Sequence, residues 1–294
     1  MTGRLIVLGA TGAIGQAVVA QALADGRGVV AIARDARALA QLKHDRGDDA
    51  DLVTLAAAIA SDGDAARLAA RIDALPGAPA TGMLAAIRGQ ADRGRLLDAP
   101  ADFLQRRLDE DLLPHLFAAR HLMPLLARHA DAGYVLVGGP GAEQPWAGYG
   151  HHSIGAAALR MLARVLHDEA RALPLRVRML SVDSPVRTAA NARHACERWP
   201  DAEAIARQAL QLLDGGGGSQ ALVRFPVRSL SPAAGGVDDL DGDDRLCPPR
   251  AAHGDDARLQ DARTLLKRIA SSPAATPAIP SPPNSPASQE TPSP

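Results

Sequence analysis

Aromatic side chains are nearly missing from this sequence. Phenylalanine, tyrosine and tryptophan together make up 2% of its 294 residues. A core must therefore be built from alanine, leucine, valine and isoleucine, and a hydrophobic content of 47% supplies enough of them. Lysine is scarcer still: Lys43 and Lys267 are the only two, so nearly all positive charge is arginine. Chemistry that needs an ammonium group from residues 44–266 is excluded. The formal net charge of −1 argues against a general nucleic-acid binder. No stretch approaches 18 apolar residues free of charge, which argues against a membrane span. The first apolar run begins at once, with no signal-peptide pattern before it, and the two cysteines, Cys196 and Cys247, lie far apart. They read as free thiols of a protein in the reducing cytoplasm.

What the sequence does have is a strong N-terminal pattern from Arg4 to Arg34. Leu5 to Leu8 is a short, branched apolar run of the buried-strand kind. Glycines follow at Gly9, Gly12 and Gly15. Ile14, Val18, Val19 and Leu23 then recur at helical spacing, and Asp25-Gly26 stops the helix. A second apolar run, Val29 to Ala33, closes a strand–turn–helix–strand unit of the kind that binds a dinucleotide. The glycines have a chemical reason. A pyrophosphate must approach the N–H groups at a helix N-terminus, and a Cβ on the turn would block it. Gly9, Thr11, Gly12, Ala13, Ile14 and Gly15 are therefore the candidate cofactor-binding turn. The plainer alternative is a tight βα turn with no ligand.

The end of the second strand reads Ala33-Arg34, with Arg37 one turn on. An acidic residue there would bind the ribose 2′-hydroxyl of NAD, whereas the forked donors of arginine suit a 2′-phosphate. Arg34 thus favours NADP over NAD. The alternative is a solvated charge paired with Asp35.

Strand and helix patterns alternate from there. Helices are expected over 36–42, 65–72, 103–129 (with kinks or breaks at Pro114 and Pro124), 153–172 (with Ser153 as N-cap) and 202–213. Strands are expected within 52–60 and over 82–87, 134–137, 175–182 and 221–225. Such alternation predicts an α/β fold, a Rossmann-like doubly wound parallel sheet of about seven strands over residues 1–226. Residues 227–294 change character, with an acidic run from Asp238 to Asp244 and eight prolines after residue 270. They are expected to be a mostly disordered tail, with one short amphipathic helix over 256–270.

Over most of residues 4–226 the chain resembles the short-chain dehydrogenase/reductase family. The glycine motif, the long helix after the fifth strand, the Pro185-Val186-Arg187-Thr188 stretch and the final helix–strand pair stand in that family's order. The resemblance implies hydride transfer between a nicotinamide and a small-molecule carbonyl or alcohol. It implies a tyrosine that moves the proton, a lysine four residues on, a serine about 13 residues before the tyrosine, and an asparagine on the preceding helix. A phenol with a pKa near 10 needs such a cation to work at neutral pH. It also implies a homo-oligomer packed through the helices near 103–128 and 153–172, with a hetero-oligomer as the alternative, and a loop from Ala189 to Pro200 over the site.

The chemistry of that pattern is mostly gone. The tyrosine position falls on His152 and the lysine position on Ala156; a register starting from Tyr149 puts Ser153 in the lysine place. The serine position is Gly139, the asparagine position is Asp111, and the family's Asn-Asn-Ala-Gly reads Ala86-Ile87-Arg88-Gly89. The spacing of Gly9, Gly12 and Gly15 matches the extended and atypical branches rather than the main one. His152 is the candidate acid, since histidine donates a proton near neutral pH without a lysine partner. Tyr149 or Ser153 is the candidate hydrogen-bond donor beside it, the alternative being that these groups only cap the helix. Asp109, Glu110 and Asp111 read as a solvated face, and His115 with His121 lacks metal-ligand spacing, so no metal is expected. Two functions follow: an NADPH-dependent carbonyl reductase with an unusual acid, or a non-catalytic, cofactor-binding regulatory or scaffold subunit.

Overall fold

Apolar runs and glycine or aspartate turns punctuate the chain into alternating strands and helices. The computed structural model describes residues 3–89 and 93–226. The expected tail over 227–294, its helix over 256–270 and Cys247 lie outside the described residues. The strands are β1 (Arg4–Leu8), β2 (Val29–Ala33), β3 (Leu52–Ala56), β4 (Ala80–Ala85), β5 (Ala132–Gly138), β6 (Leu175–Ser181) and β7 (Leu222–Arg224). They form one sheet in the order β3-β2-β1-β4-β5-β6-β7, and every pair is parallel. The helices are α1 (Ala13–Ala24), α2 (Ala36–Asp45), α3 (Asp62–Asp73), α4 (Phe103–Asp111), α5 (Leu113–Leu126), α6 (Gly150–Glu169) and α7 (Ala202–Leu213).

Alternate residues of each strand feed two separate apolar layers, as a period of two requires. Ile6 and Leu8 face the layer closed by α3, α5 and α6, through Leu68, Leu122 and Ala163. Leu5 and Val7 face the other, closed by α1, α2 and α7, through Val18, Leu39 and Ile205. This is the doubly wound fold the alternation predicts. Strand order reverses between β1 and β4, so a crevice opens beyond their carboxyl ends.

Local chemistry moves several element ends. β3 occupies the first part of the 52–60 run and stops at Ala56; beyond it Ser61 caps α3 by accepting the Asp64 N–H. The apolar segment after Phe103 is two helices, broken at Leu112 just before Pro114, which cannot donate to the preceding turn. Pro124 is tolerated inside α5. α6 starts at Gly150, and its N-cap is Tyr149 rather than Ser153. The Ser153 hydroxyl is turned back to the loop, where it accepts the Trp146 N–H at 2.8 Å. Cys196 corrects the free-thiol reading, because it is disulfide-bonded. The argument from cysteine usage for a reducing compartment therefore does not hold. Among the described residues, no helix is long and apolar enough to cross a membrane.

Tyr134 on β5 is fully buried in the first layer, and its hydroxyl has no hydrogen-bond partner among the described residues. Burial pushes its ionisation well above the usual phenol range. A desolvated, unbonded hydroxyl costs about 1–3 kcal/mol. Tyr134→Phe, which removes it at nearly constant shape, is expected to raise stability by about 1 kcal/mol. Urea unfolding checks this; a less stable variant would show that the hydroxyl is bonded after all.

Candidate active site

The glycine turn after β1 is shaped by backbone contacts. Gly9 takes φ +79°, and a Cβ there would stand 2.4 Å from the Ala86 carbonyl oxygen, just beyond β4. At Gly15 a Cβ would stand 2.2 Å from the Gly9 oxygen, so α1 could not pack against the turn. Gly12 differs: a Cβ there meets only the Gly9 oxygen, at 3.4 Å. Gly12 is the N-cap of α1 and offers no side-chain cap, which leaves the helix's first N–H groups for a ligand.

These residues line one end of a cleft of about 650 Å³. Its lining includes Gly9, Thr11, Gly12, Ala13, Ile14 and Gly15, with Arg34 at the end of β2 and an apolar wall of Ala57, Ile59 and Ala60. The sequence-predicted cofactor residues are thus brought together. Arg34 is exposed and makes no ion pair among the described residues. Asp35 is engaged elsewhere, capping α2 by accepting the N–H groups of Arg37 at 2.8 Å and Ala38 at 3.2 Å.

At the other end stand Arg88, Asp111, Gly139, His152 and Ala156, with Val186, Thr188 and Asn191 on the loop after β6. Of the three candidate catalytic side chains, only His152 lines this cleft. It is buried, and its Nδ1 lies 3.8 Å from Asp111 Oδ2. The other Asp111 oxygen accepts the Gly89 N–H. Tyr149 stacks on Trp146, ring centroids 4.5 Å apart. Besides its bond from Trp146, Ser153 donates to the Tyr149 carbonyl at 3.4 Å. Neither Tyr149 nor Ser153 lines the cleft. Ala156 and Gly139 leave a methyl group and a hydrogen where the resemblance implies a lysine and a serine.

Arg88 is the residue that sequence reasoning passed over. Its side chain is exposed into the cleft, yet the surrounding walls lower its pKa through desolvation, opposed by the charge of Asp111 and by Tyr149. The one signal available was its place in Ala86-Ile87-Arg88-Gly89, beyond β4. Behind this loop His115 is fully buried on α5, its Nε2 3.1 Å from the Ile87 carbonyl oxygen.

A neck holds the loop beyond β6. The Arg187 N–H donates to the Pro200 carbonyl at 2.9 Å, and its guanidinium grips Asp201 with Nε–Oδ1 at 2.7 Å. Inside the loop, the Asn191 side chain accepts the Thr188 N–H and donates to the Val186 carbonyl, both at 2.8 Å. Among the described residues, no group of three or more His, Cys, Asp or Glu side chains could hold a metal.

The chain matches the short chain dehydrogenase family over residues 4–195 and belongs to that family. No curated protein matches it. Among solved structures, it is similar to the apo form of a short chain oxidoreductase from Pseudomonas aeruginosa PAO1, described as containing an atypical catalytic center. Identity is 20% and the TM-score 0.68, covering 79% of this chain and 98% of that one. The NADPH-bound form of that oxidoreductase gives 19% identity and a TM-score of 0.67, over 75% of this chain and 94% of that one. A short-chain type dehydrogenase/reductase from Mycobacterium ulcerans gives 19% and 0.68, over 76% and 89%. At these identities the likeness speaks for the fold alone.

Proposed function

We propose that this protein binds NADP(H) and interconverts a carbonyl and an alcohol on a small molecule. One observation carries the reading: a single cleft joins the glycine turn and Arg34 to the His152–Asp111 pair. A structural neighbour solved with NADPH, whose catalytic centre is itself atypical, supports it. The open face at Gly12 admits a pyrophosphate, the apolar wall at Ile59 takes an adenine ring, and the exposed Arg34 takes a 2′-phosphate. When bound, the nicotinamide supplies a hydride to the carbonyl carbon. His152 hands a proton to the carbonyl oxygen, and Asp111 stabilises its charged form.

The methyl of Ala156 and the bare Gly139 favour a second reading, a non-catalytic subunit that only binds the nucleotide. His152→Ala separates the two: lost turnover with retained NADPH binding supports the enzyme.

The first test is calorimetric titration of the full chain with NADPH and NADH. NADPH is expected to bind more tightly, and Arg34→Asp to weaken it by about 10- to 100-fold, the worth of one charged hydrogen bond. Binding of neither nucleotide would remove both readings. Exposed Ile154, Met161 and Val165 on α6, and Leu116 on α5, support a homo-oligomer. The same preparation should then sediment above the mass of one chain.

A further inference from the structure

We propose that Arg88 is the donor that holds the reacting carbonyl oxygen, in place of the side chain that Gly139 lacks. The inference rests on the carbonyl–alcohol reading above. A Cβ built on Gly139 meets one group within 4 Å, the Arg88 guanidinium, at 3.8 Å from Nη1. The guanidinium therefore faces the space that a hydroxyl-bearing side chain at residue 139 would enter. Both residues line the same end of the cleft as His152.

Arg88 is also uncommitted. It makes no hydrogen bond or ion pair with any described residue. Its nearest acid, Asp111, is occupied by the Gly89 N–H and stands beside His152. Its guanidinium, a fork of five N–H donors, is open to the cleft and so to a ligand that accepts hydrogen bonds. The cleft walls desolvate the guanidinium in part, and a donor aimed there at developing charge counts for more than one in open water.

The balance of the step assigns the roles. The carbonyl carbon gains a C–H bond with the two electrons of the hydride from reduced nicotinamide. The C=O π pair moves onto oxygen, where Arg88 stabilises the charge. A proton from His152 then forms the O–H bond, leaving a neutral alcohol and a neutral imidazole. The fixed positive charge also stands in for the absent lysine. Arginine stays protonated across the working pH range and presents a fork rather than a point.

Isobutyramide is the probe, since its amide oxygen accepts hydrogen bonds as a ketone does and is not reduced. It is titrated into the full chain, free and NADPH-saturated, and followed by the fluorescence of Trp146, which lines the cleft. Arg88→Ala is expected to bind the amide about 10- to 100-fold more weakly, with NADPH affinity within about twofold of the parent. Adding Gly139→Ser to Arg88→Ala is expected to recover part of the loss, a rescue that a merely structural arginine would not give. Arg88→Met, of similar length and uncharged, repeats the measurement if the alanine variant is unstable. Equal amide affinity in parent and variants, or no amide binding by the parent, overturns the proposal. Failure of the parent to bind NADPH would instead fall on the cofactor reading, and the titration of the free chain would still decide Arg88.

Discussion

Gly15→Ala is expected to lower stability by about 3 kcal/mol, at the upper end of overpacking costs. For a domain of this size, that is roughly 6–12 °C in melting temperature. The added methyl carbon would lie 2.2 Å from the Gly9 oxygen and 2.8 Å from Ala10 Cα. Both are backbone atoms of a turn already fixed by the positive φ of Gly9 and its contact with Ala86, so neither side can yield cheaply. α1 must move away from the turn, and nucleotide binding should fall with it. Gly12→Ala is the informative companion. Its methyl group meets one atom at 3.4 Å, so the melting temperature should hardly change. Yet it stands on the face where a pyrophosphate would approach, so NADPH affinity should drop. Scanning calorimetry paired with nucleotide titration separates the two roles. An unchanged melting temperature in Gly15→Ala would refute the packing argument; unchanged affinity in Gly12→Ala would refute the phosphate site.

Acid should destabilise the protein through His115. Burial lowers its pKa to about 4, against the weaker raising effects of the Ile87 carbonyl and Asp111. The unfolded chain has the ordinary value of about 6.5. Above pH 6.5 the ring is neutral in both states and contributes no pH dependence. As pH falls toward 4, the unfolded state gains a proton that the folded state refuses, so stability declines across this window and levels off below it. At 1.36 kcal/mol per unit, the loss reaches about 3 kcal/mol. The surface carboxylates act lower down. Asp64, depressed first by its bond from Ser61, and Glu143, depressed first by Arg224, lose their stabilisation only as pH falls through the ordinary carboxylate range and below. His115→Gln keeps a donor for the Ile87 carbonyl without a titrating ring. Urea unfolding at pH 7, 5.5 and 4.5 should show a clear decline for the parent and a shallow one for the variant. Parallel declines would mean that His115 is not the sensor. Since Ile87 precedes Arg88, acid should loosen the floor of the cleft before it unfolds the sheet.

The sheet was legible because most strands are short apolar runs and many turns carry glycine or aspartate, as at Gly9 and Asp25-Gly26. The glycine end of the cleft was legible for the same local reason: Gly9, Gly12, Gly15 and Arg34 lie within one βαβ unit, and chain order alone brings them together. The far end draws on β4, β5, α4 and α6, and no local pattern reports which side chains converge there. Arg88 looked like any loop arginine until Gly139 was placed opposite it. Ser153 looked like an N-cap because a serine before an apolar helix usually is one; the Trp146 N–H, reached only through the fold of the loop, took its hydroxyl. His115 was unremarkable in sequence because its burial depends on α5 packing beneath the β4 loop. Cys196 shows the limit of counting cysteines, since a count carries no distances.

The neck formed by Arg187, Pro200 and Asp201 makes residues 188–199 a modular insert. A segment tied at its base transmits little of its own length or composition to β6 before it or α7 after it, and a longer loop adds only slowly to the closure entropy. The loop that lends Thr188 and Asn191 to the cleft wall can therefore change in length without renegotiating the sheet, the glycine turn or the buried layers. One stretch of the cleft wall can thus drift while the rest of the architecture stays fixed.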